Sequence, residues 1–598
     1  MDEKRVLLAI VLSIVIMVGW YAIFPPPKPV PPTQPVEVEQ PTGQDDASTT
    51  PGDRPETLAP EDAAPVPTDE SEETEPAYAE ARAAASEERF TIENQHFSAE
   101  FSNAGARLLS FRLLGFTNEG DPLELLLPFP VDDQAYLAVD IDDRELAKAI
   151  NTSLFETRRE TVTGGPEGGG GQKISFEYSD GAGLEVRKSV TIWNDEWIWD
   201  AELEVIDRGR RLPARLVLGP GFAAQEERGS RTYYYGSQIL WYDRTGVQRS
   251  AEHCGFLFFT TACRDWKSAI RKDGVPDQSV VTGRIGWAGL EDQFFTALAV
   301  SRTDETEMRW VTRELALTAD GDDEEPPEPS PTPLVSVSVP SEGAHFYFGP
   351  KRYAELKEYG IGLERTVWFS SKAWLAAIVR TMYLGLRWLH GNVLANWGVA
   401  IVLATFILRV LLFPLNQFAM VRMRRTQAEM QRIQPKIKAI RNKYAKKKDA
   451  QSRQKMNEET MALYRAEGIN PMGGVTGCLP IFLQFPILIG FYNMLTVAVE
   501  LRGAPFILWI KDLSQPDPYL VIPLAMGVTM FVQQKMAMTK VTDPMAQQQQ
   551  KFMMFMPFMF TFFCLQMPAG MVLYWFVNNL LGIGQQQLVN RQAARSTA

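Results

Sequence analysis

Long apolar runs without charge constrain this chain most, because such runs belong in a lipid bilayer rather than in water. The first run, Val6 to Phe24, has 19 uncharged residues and would span about 28 Å as a helix. Lys4 and Arg5 precede it, so the amino terminus should stay in the cytoplasm. A cleaved signal peptide is the alternative, but no small-x-small cleavage site follows the run. We therefore predict a retained transmembrane anchor over residues 1–24.

The next two segments differ sharply in composition. Residues 25–89 contain sixteen acidic and four basic side chains together with fourteen prolines, a composition that predicts a disordered acidic tether. The tether thus holds a net charge of −12 out of −13 for the whole chain. Residues 90–360 alternate polar and apolar side chains with period two, between Gly, Pro and Asn-Asp turns. This pattern predicts a large antiparallel β-sandwich, which would lie on the outer side of the membrane after the anchor.

Catalytic and metal-binding motifs are not evident in the sequence. The four cysteines and four histidines are scattered and include no Cys-x-x-Cys pair. The Gly-rich stretch from Gly164 to Ser175 lacks the Gly-Lys-Ser/Thr ending of a phosphate-binding loop. We therefore expect no enzyme activity, no cofactor and no metal site. Cys254 and Cys263 would face an oxidising compartment, where they could form a disulfide.

The chain after residue 360 is predicted to be helical. In residues 361–395, Arg380 and Arg387 interrupt an apolar helical pattern, which favours an amphipathic helix at the membrane interface. Residues 396–590 add five spans, so the fold class is a polytopic α-helical membrane protein with six transmembrane helices, a five-helix core and the periplasmic β-sandwich. The five spans are Trp397 to Pro414, Cys478 to Val499, Tyr519 to Val532, Phe552 to Met567 and Met571 to Ile583. Six crossings return the tail, residues 591–598, to the cytoplasm.

The loop within the core, residues 416–470, is strongly basic. It has fourteen basic and five acidic side chains, so it belongs on the cytoplasmic side. Apolar side chains recur in it at heptad-like intervals, which predicts an antiparallel helical hairpin. These residues are Met423, Met430, Ile433, Ile437, Ile440 and Tyr444. Such a hairpin could bind anionic lipid or ribosomal RNA through phosphate groups, and its charge does not choose between them.

Arg409 is a charged residue inside an apolar span, and no span contains an Asp or Glu to neutralise it. A charge at membrane depth costs at least about 2.5 kcal/mol, so such residues usually face water or the protein interior. Thr405 lies one turn earlier on the same face, and Gln484 and Asn493 lie in another span. Together they favour a hydrated recess. Alternatively, Arg409 snorkels to the headgroups from its position five residues before Pro414.

Several longer motifs resemble one known family. They are "QPKIKAIRNKY", "MALYRAEGINPMGG", "ELRGAPFILWIKDLS", "VTDPM" and "MVLYWFVNNL". With these motifs the chain resembles the YidC/Oxa1/Alb3 family of membrane protein insertases, in the long form of Gram-negative bacteria, over its whole length. The resemblance implies an external β-supersandwich and a core with a hydrophilic groove. It also implies an insertase and chaperone for newly made inner-membrane proteins, acting alone or with the Sec translocon and its accessory proteins.

The resemblance also implies roles for individual residues. Arg409 and Thr405 match the groove arginine of the family and its neighbour. Tyr574 and Trp575 match a substrate-contacting aromatic pair, in which Trp575 replaces the usual tyrosine. The basic hairpin and the loop that holds Asp543 correspond to regions presented to the ribosome. The side chains predicted to face the ribosome are Arg424, Arg425, Lys436, Lys446, Lys447, Lys448 and Asp543.

We therefore predict an insertase whose partners are nascent inner-membrane proteins, the Sec translocon, the ribosome and membrane lipid. A transporter or channel with an external sensor domain is the first alternative. It would require paired intramembrane charges or an inverted repeat of spans, and neither is seen. A passive envelope scaffold is the second alternative. It would depend on the β domain and be indifferent to mutation of the groove.

Overall fold

The computed structural model describes residues 79–596 apart from short gaps. The gaps are 119, 127–135, 166–167, 220–237, 244, 250–252, 257–258, 263–277, 303–305, 316–329, 340–342, 371, 445–449, 468–478 and 539–543. The predicted anchor, Val6 to Phe24, and nearly all of the predicted tether lie outside the described residues.

Residues 89–350 form antiparallel sheets, as the period-two pattern predicts. The strands are β1 Arg89–Glu93, β2 Phe97–Ser102, β3 Arg107–Asn118, β4 Asp121–Glu124, β5 Val139–Asp140, β6 Glu156–Thr163, β7 Gly170–Ser179, β8 Leu184–Trp193, β9 Ile198–Asp207, β10 Arg210–Arg211, β11 Arg215–Gly219, β12 Gln238–Tyr242, β13 Val247–Arg249, β14 His253–Phe256, β15 Phe259–Ala262, β16 Gln278–Gly283, β17 Trp287–Glu291, β18 Phe295–Ser301, β19 Thr306–Leu315, β20 Ser330–Ser338 and β21 Ala344–Pro350.

One large sheet carries two smaller sheets. The large sheet has ten strands, nine of them in the order β13-β12-β17-β18-β21-β9-β8-β7-β6, with β10 paired to β9. A four-stranded sheet, β1 to β4, packs on it through ring contacts such as Phe111 with Phe348, whose centroids lie 5.5 Å apart. A five-stranded sheet, β16-β19-β20-β11-β5, shares the same hydrophobic core. This arrangement confirms the predicted β-sandwich.

The helices follow the strands, apart from one inside the β domain. They are α1 Arg144–Thr152, α2 Tyr353–Glu358, α3 Ala373–Asn392, α4 Trp397–Tyr444, α5 Ala450–Ala466, α6 Leu479–Val497, α7 Val521–Ala537, α8 Pro544–Cys564 and α9 Ala569–Ser596. Short 3-10 turns lie at Leu363–Thr366 and Val499–Leu501. Helix α4 is continuous for 48 residues from the predicted span into the basic hairpin. The amphipathic segment forms α3, which buries Leu375 and Val379 and exposes Trp374 and Trp388.

One stretch of helix in the described part of the chain, Trp397–Phe418, is long and apolar enough to cross a membrane by length and composition. Pro486–Val497 is a shorter apolar helix. The predicted count of six crossings is therefore not confirmed. The apolar stretches predicted as the last three spans lie mostly within α7, α8 and α9, which have 17, 21 and 28 residues. They are thus parts of longer helices.

A tight turn joins α8 and α9 at Pro568. Ala569 donates its backbone N–H to the carbonyl of Gln515 at 2.7 Å, and Gly570 donates to Leu513 at 2.9 Å. Proline cannot continue the hydrogen-bond ladder of α8, so the chain reverses there. These bonds fix the turn against the loop before α7.

Polar and aromatic contacts join the β domain to the helical core. Gln293 donates to the carbonyl of Thr496 at the end of α6, at 2.8 Å. The guanidinium of Arg502 lies 5.1 Å from the centre of the Phe295 ring. These contacts anchor the end of α6 and the loop after it to the β17–β18 hairpin of the large sheet.

The predicted disulfide is only partly covered by the structure. Cys254 lies on β14, where it is opposite Thr261 of β15. Cys263 lies outside the described residues. The disulfide therefore stays a prediction.

Lys188 is a charged side chain buried inside the β-sandwich. It is 2% exposed, and its Nζ donates to the carbonyl oxygens of Ala106 and Leu137. Because burial disfavours the ammonium, it lowers the pKa of Lys188 to about 7 from 10.5. The unfolded chain therefore binds more protons than the folded chain between these two pH values. Folding stability must rise with pH across that window.

We predict that the free energy of unfolding of the β domain rises between about pH 7 and about pH 10, by at most about 1.4 kcal/mol per pH unit from this group. Lys188→Met should flatten that rise, since the titrating group is gone. Urea unfolding of the full-length protein, followed by near-ultraviolet circular dichroism, measures it. The matched control is Lys148→Met on the exposed side of α1. Equal pH slopes in wild type and Lys188→Met would contradict the prediction.

Candidate functional site

Arg409 lies at the centre of a polar contact between three helices. On α4, its Nη2 donates to the backbone carbonyl of Asn578 on α9 at 2.9 Å. Gly582, one turn further along α9, provides the space for the guanidinium, because a Cβ there would lie 3.0 Å from Nη2 of Arg409. The same Cβ would lie 2.4 Å from the side-chain nitrogen of Gln533 on α7. The guanidinium therefore fits between α4, α7 and α9.

The charge of Arg409 has no counter-ion within the described part of the chain. Its Nε is buried there without a hydrogen-bond partner, and its one protein acceptor is a neutral carbonyl. A backbone carbonyl stabilises a guanidinium less than a carboxylate does, because no full charge is paired. The site therefore retains an uncompensated positive charge and unused donor capacity.

Thr405 lies one turn before Arg409 but uses its hydroxyl differently. The side chain is 1% exposed, and its Oγ1 donates to the carbonyl of Ile401 in the same helix at 2.7 Å. This local bond satisfies the hydroxyl within α4. Thr405 is thus a buried residue one turn from Arg409 whose hydroxyl is satisfied inside α4.

The predicted aromatic pair points to two different neighbours. Tyr574 stacks on Phe491 of α6, with ring centres 4.1 Å apart and planes within 7°. Its hydroxyl is also close enough to Arg409 to interact electrostatically. Trp575 packs instead on Phe560 of α8 at 4.8 Å. The structure therefore brings Tyr574, but not Trp575, into the surroundings of Arg409.

Asn493 and Gln484, the two polar residues predicted to line the recess from the second core span, both lie on α6. Asn493 is buried, and its side-chain amide donates to the carbonyl of Phe369, just before α3, at 2.9 Å. This contact connects α6 to the segment between the β domain and α3. Asn493 is therefore not among the residues that contact Arg409. Gln484 lies in α6, but the structure does not describe its side chain.

Sequence analysis missed a polar seam that extends the site along α4 and α9. Asn416 is 6% exposed, and its amide nitrogen has no hydrogen-bond partner among the described residues. Gln585 donates to the carbonyl of Phe413 at 3.4 Å, and Gln586 donates to Asn590 at 3.2 Å. Asn416 follows Arg409 by seven residues, or about 10 Å of helix. Polar spacing at 405, 409 and 416, and again at 578 and 585, could have revealed this seam.

The basic hairpin is formed by the carboxyl-terminal part of α4 and by α5. Its apolar contact consists of Ile433 and Ile437, packed on Leu463 and Tyr464. Three ion pairs connect the arms: Arg432 and Lys436 with Glu467, and Lys443 with Glu459. The hydrogen bond from Lys436 is the first cause that lowers the pKa of Glu467.

Few of the predicted ribosome-facing side chains are described. Lys436 is exposed on the hairpin. Arg424 and Arg425 lie in α4, but their side chains are not described. The remaining four, Lys446, Lys447, Lys448 and Asp543, lie outside the described residues. Their roles therefore stay predictions.

Two family models together match almost the whole described chain. Residues 89–384 match the YidC periplasmic domain, and residues 388–596 match the 60Kd inner membrane protein. The membrane protein insertase YidC of Geobacter metallireducens is 31% identical over 100% of both chains. That of Syntrophus aciditrophicus is 29% identical over 99% of this chain and 100% of its own. A crystal structure of an active YidC insertase, 17% identical, covers 85% of this chain and 94% of its own with a TM-score of 0.33.

The fold and the site define a membrane protein with a periplasmic β-sandwich and a helical core that encloses an arginine. The match to the relatives then settles the family. The chain belongs to the YidC/Oxa1 family of inner-membrane protein insertases, which are not enzymes.

We predict that Gly582→Ala destabilises the core, although alanine is intrinsically the better helix former by about 1 kcal/mol. The added Cβ must displace the flexible end of the Gln533 or Arg409 side chain, which costs little in itself. Moving the guanidinium, however, breaks its hydrogen bond to the Asn578 carbonyl, and such a bond to a charged group is worth about 1.5–3 kcal/mol. Thermal unfolding in detergent should show a lower melting temperature. Gly584→Ala is the matched control, because nothing lies within 4 Å of its Cβ. The same melting temperature in both variants would show that the close approach at Gly582 is not needed.

Proposed function

We propose that this protein inserts newly made proteins into the inner membrane, and that Arg409 attracts the polar segment of each passenger. The observation that carries this proposal is a buried guanidinium whose protein acceptor is a neutral carbonyl. A charge at membrane depth costs at least about 2.5 kcal/mol. A passenger's acidic or polar side chains, or the water that accompanies them, would offset that cost.

The apolar part of the passenger would leave along the exposed faces of the core. On α4, next to Arg409, Val410 is 56% and Leu411 is 72% exposed. On α8, Phe555 and Phe562 are 63% and 76% exposed. Transfer of a passenger helix into hydrocarbon would yield about 25 cal/mol per Å² of apolar surface. Apolar burial would therefore drive insertion, and no nucleotide would be needed.

Other parts of the proposal rest on the sequence and on the resemblance. We infer six membrane crossings with both termini in the cytoplasm, from the distribution of basic residues. The exposed Phe and Met side chains of α8 would suit a chaperone, because methionine adapts to many apolar partners. Cooperation with the Sec translocon and its accessory proteins is inferred from the family. This cooperation would let the protein receive passengers that first enter the Sec translocon.

We predict that Arg409→Ala lowers the insertion rate of a small two-span passenger by about tenfold, as expected from the loss of about 1.4 kcal/mol of stabilisation. Arg409→Glu should lower it further, because the charge then repels acidic segments. Arg409→Lys should retain most activity. The measurement is protease protection of the passenger in liposomes that contain the purified protein, without nucleotide.

The control for a general disturbance of α4 is Val402→Ala, which removes a partly buried apolar side chain of the same helix that packs on the core. Liposomes without protein give the spontaneous background. If Arg409→Glu inserts every passenger at the wild-type rate, the guanidinium only snorkels to the headgroups. If the wild type does not exceed the background, the purified protein is not sufficient for insertion.

We further propose that the basic hairpin binds ribosomal RNA. Replacing Lys446, Lys447 and Lys448 together with alanine should weaken ribosome binding. It should also reduce the slope of log affinity against log salt by about two to three, one counterion contact per lysine. Ultracentrifugal co-sedimentation with ribosomes at several salt concentrations measures this. Unchanged ribosome binding with weaker binding to anionic vesicles would assign the hairpin to lipid instead.

A further inference from the structure

The loop between α6 and α7 exposes apolar side chains at its tip. Ile507 is 54% exposed, and Leu508 is 81% exposed. Leu508 also has a φ of 55°, in the left-handed region that side chains rarely adopt. At the end of the loop, Leu520 also has a left-handed backbone and an exposed side chain, with a φ of 59° and 38% exposure. Glycine or asparagine would fit this backbone with less strain, so a leucine there needs a favourable contact.

Hydrogen bonds hold the tip in a defined conformation. Phe506 donates its backbone N–H to the carbonyl of Ile510 at 3.0 Å, and Ile510 donates to Ile507 at 3.2 Å. Asp517, 1% exposed, accepts from the indole of Trp509 at 2.9 Å. The exposure of Leu508 is therefore a property of a folded turn.

The tip is also fixed to the beginning of α4. Asn396, the residue before this helix, donates its side-chain amide to the carbonyls of Pro505 and Phe506 at 3.0 and 2.9 Å. The Phe506 ring covers Gly398, where a Cβ would lie 2.1 Å from Cδ2 of the ring. Helix α4 opens with the apolar stretch Trp397–Phe418 and continues into the basic hairpin at its other end. The tip therefore lies at the periplasmic end of that stretch.

The length of the apolar stretch sets the depth of the tip. Its 22 residues span about 33 Å as a helix, against about 30 Å of hydrocarbon. Its first residue therefore lies at the periplasmic boundary of the hydrocarbon. Residues 503–510 carry no charge and are followed by the exposed Lys511. An apolar tip beside a lysine suits a lipid surface with its phosphate groups.

We propose that the Ile507–Leu508 tip inserts into the periplasmic leaflet of the membrane, next to the beginning of α4. Contact with acyl chains stabilises the strained, exposed leucine. The tip thus sets the depth of the helical core in the bilayer from the periplasmic side. This inference rests on the chain crossing the membrane and is independent of the role of Arg409.

The test is spin-label accessibility in proteoliposomes of phosphatidylethanolamine and phosphatidylglycerol. The full chain, with its four native cysteines replaced by serine, carries Leu508→Cys and a nitroxide. A label at Val410→Cys gives the reference accessibility for a lipid-exposed position. A label at Arg144→Cys, an exposed residue of α1, gives the reference for a water-exposed position. We expect the label at 508 to be relaxed more by oxygen than by a water-soluble nickel chelate, as at 410.

Ile507→Cys provides an independent position, since its backbone is not in the left-handed region. A label at 507 should show the same preference for oxygen. The proposal is overturned if both labels are as accessible to nickel as the label at 144. It is also overturned if both are shielded from oxygen and nickel alike, because the tip is then covered by protein.

Discussion

The guanidinium of Arg409, with its buried Nε and its carbonyl contact, constrains how α4, α7 and α9 pack. A charged group that packing removes from water needs a hydrogen-bond partner in the protein. The α9 backbone supplies a carbonyl at Asn578, and Gly582 leaves room for the side chain one turn later. A Cβ at position 582 would lie 3.0 Å from Nη2 of Arg409 and 2.4 Å from the side-chain nitrogen of Gln533, so a larger residue there would displace one of them. The packing of α9 against α4 and α7 is therefore tied to a single side chain.

Contacts at the periplasmic side give the core a second point of support. Gln293 binds the end of α6, Asn493 binds the segment before α3, and Asn396 binds the loop before α7. Each of these bonds satisfies a backbone carbonyl that would otherwise end a helix or a turn unpaired. One bond from the β domain and two within the helical part thus fix the ends of the helices that lie opposite the hairpin, while the polar seam extends from Arg409 toward the hairpin. The helical core therefore has hydrogen-bonded helix ends on the side of the β domain and buried polar side chains on the side of the hairpin.

The candidate site was predictable where it depended on single residues. Arg409 could be predicted because a charged residue in an apolar stretch is visible in the sequence without knowledge of the residues around it. The role of Asn493 was not, since a polar residue at a given helical position can face a recess or bind a distant carbonyl such as that of Phe369. Trp575 shows the same limit, because adjacent aromatic residues on a helix point about 100° apart. The seam through Asn416 and Gln585 had a visible spacing but required the pairing of α4 with α9.

The sequence by itself determined the β-sandwich, the helical core, the basic hairpin and the family. These features follow from period, charge and motif, which are properties of short stretches of chain. Only the tertiary structure decided that Gly582 and Gln533 surround the guanidinium, that Tyr574 stacks on Phe491 and that Leu508 is exposed beside α4. These contacts join residues far apart in the chain. They depend on how helices of known length are placed against each other, and local pattern does not encode that placement.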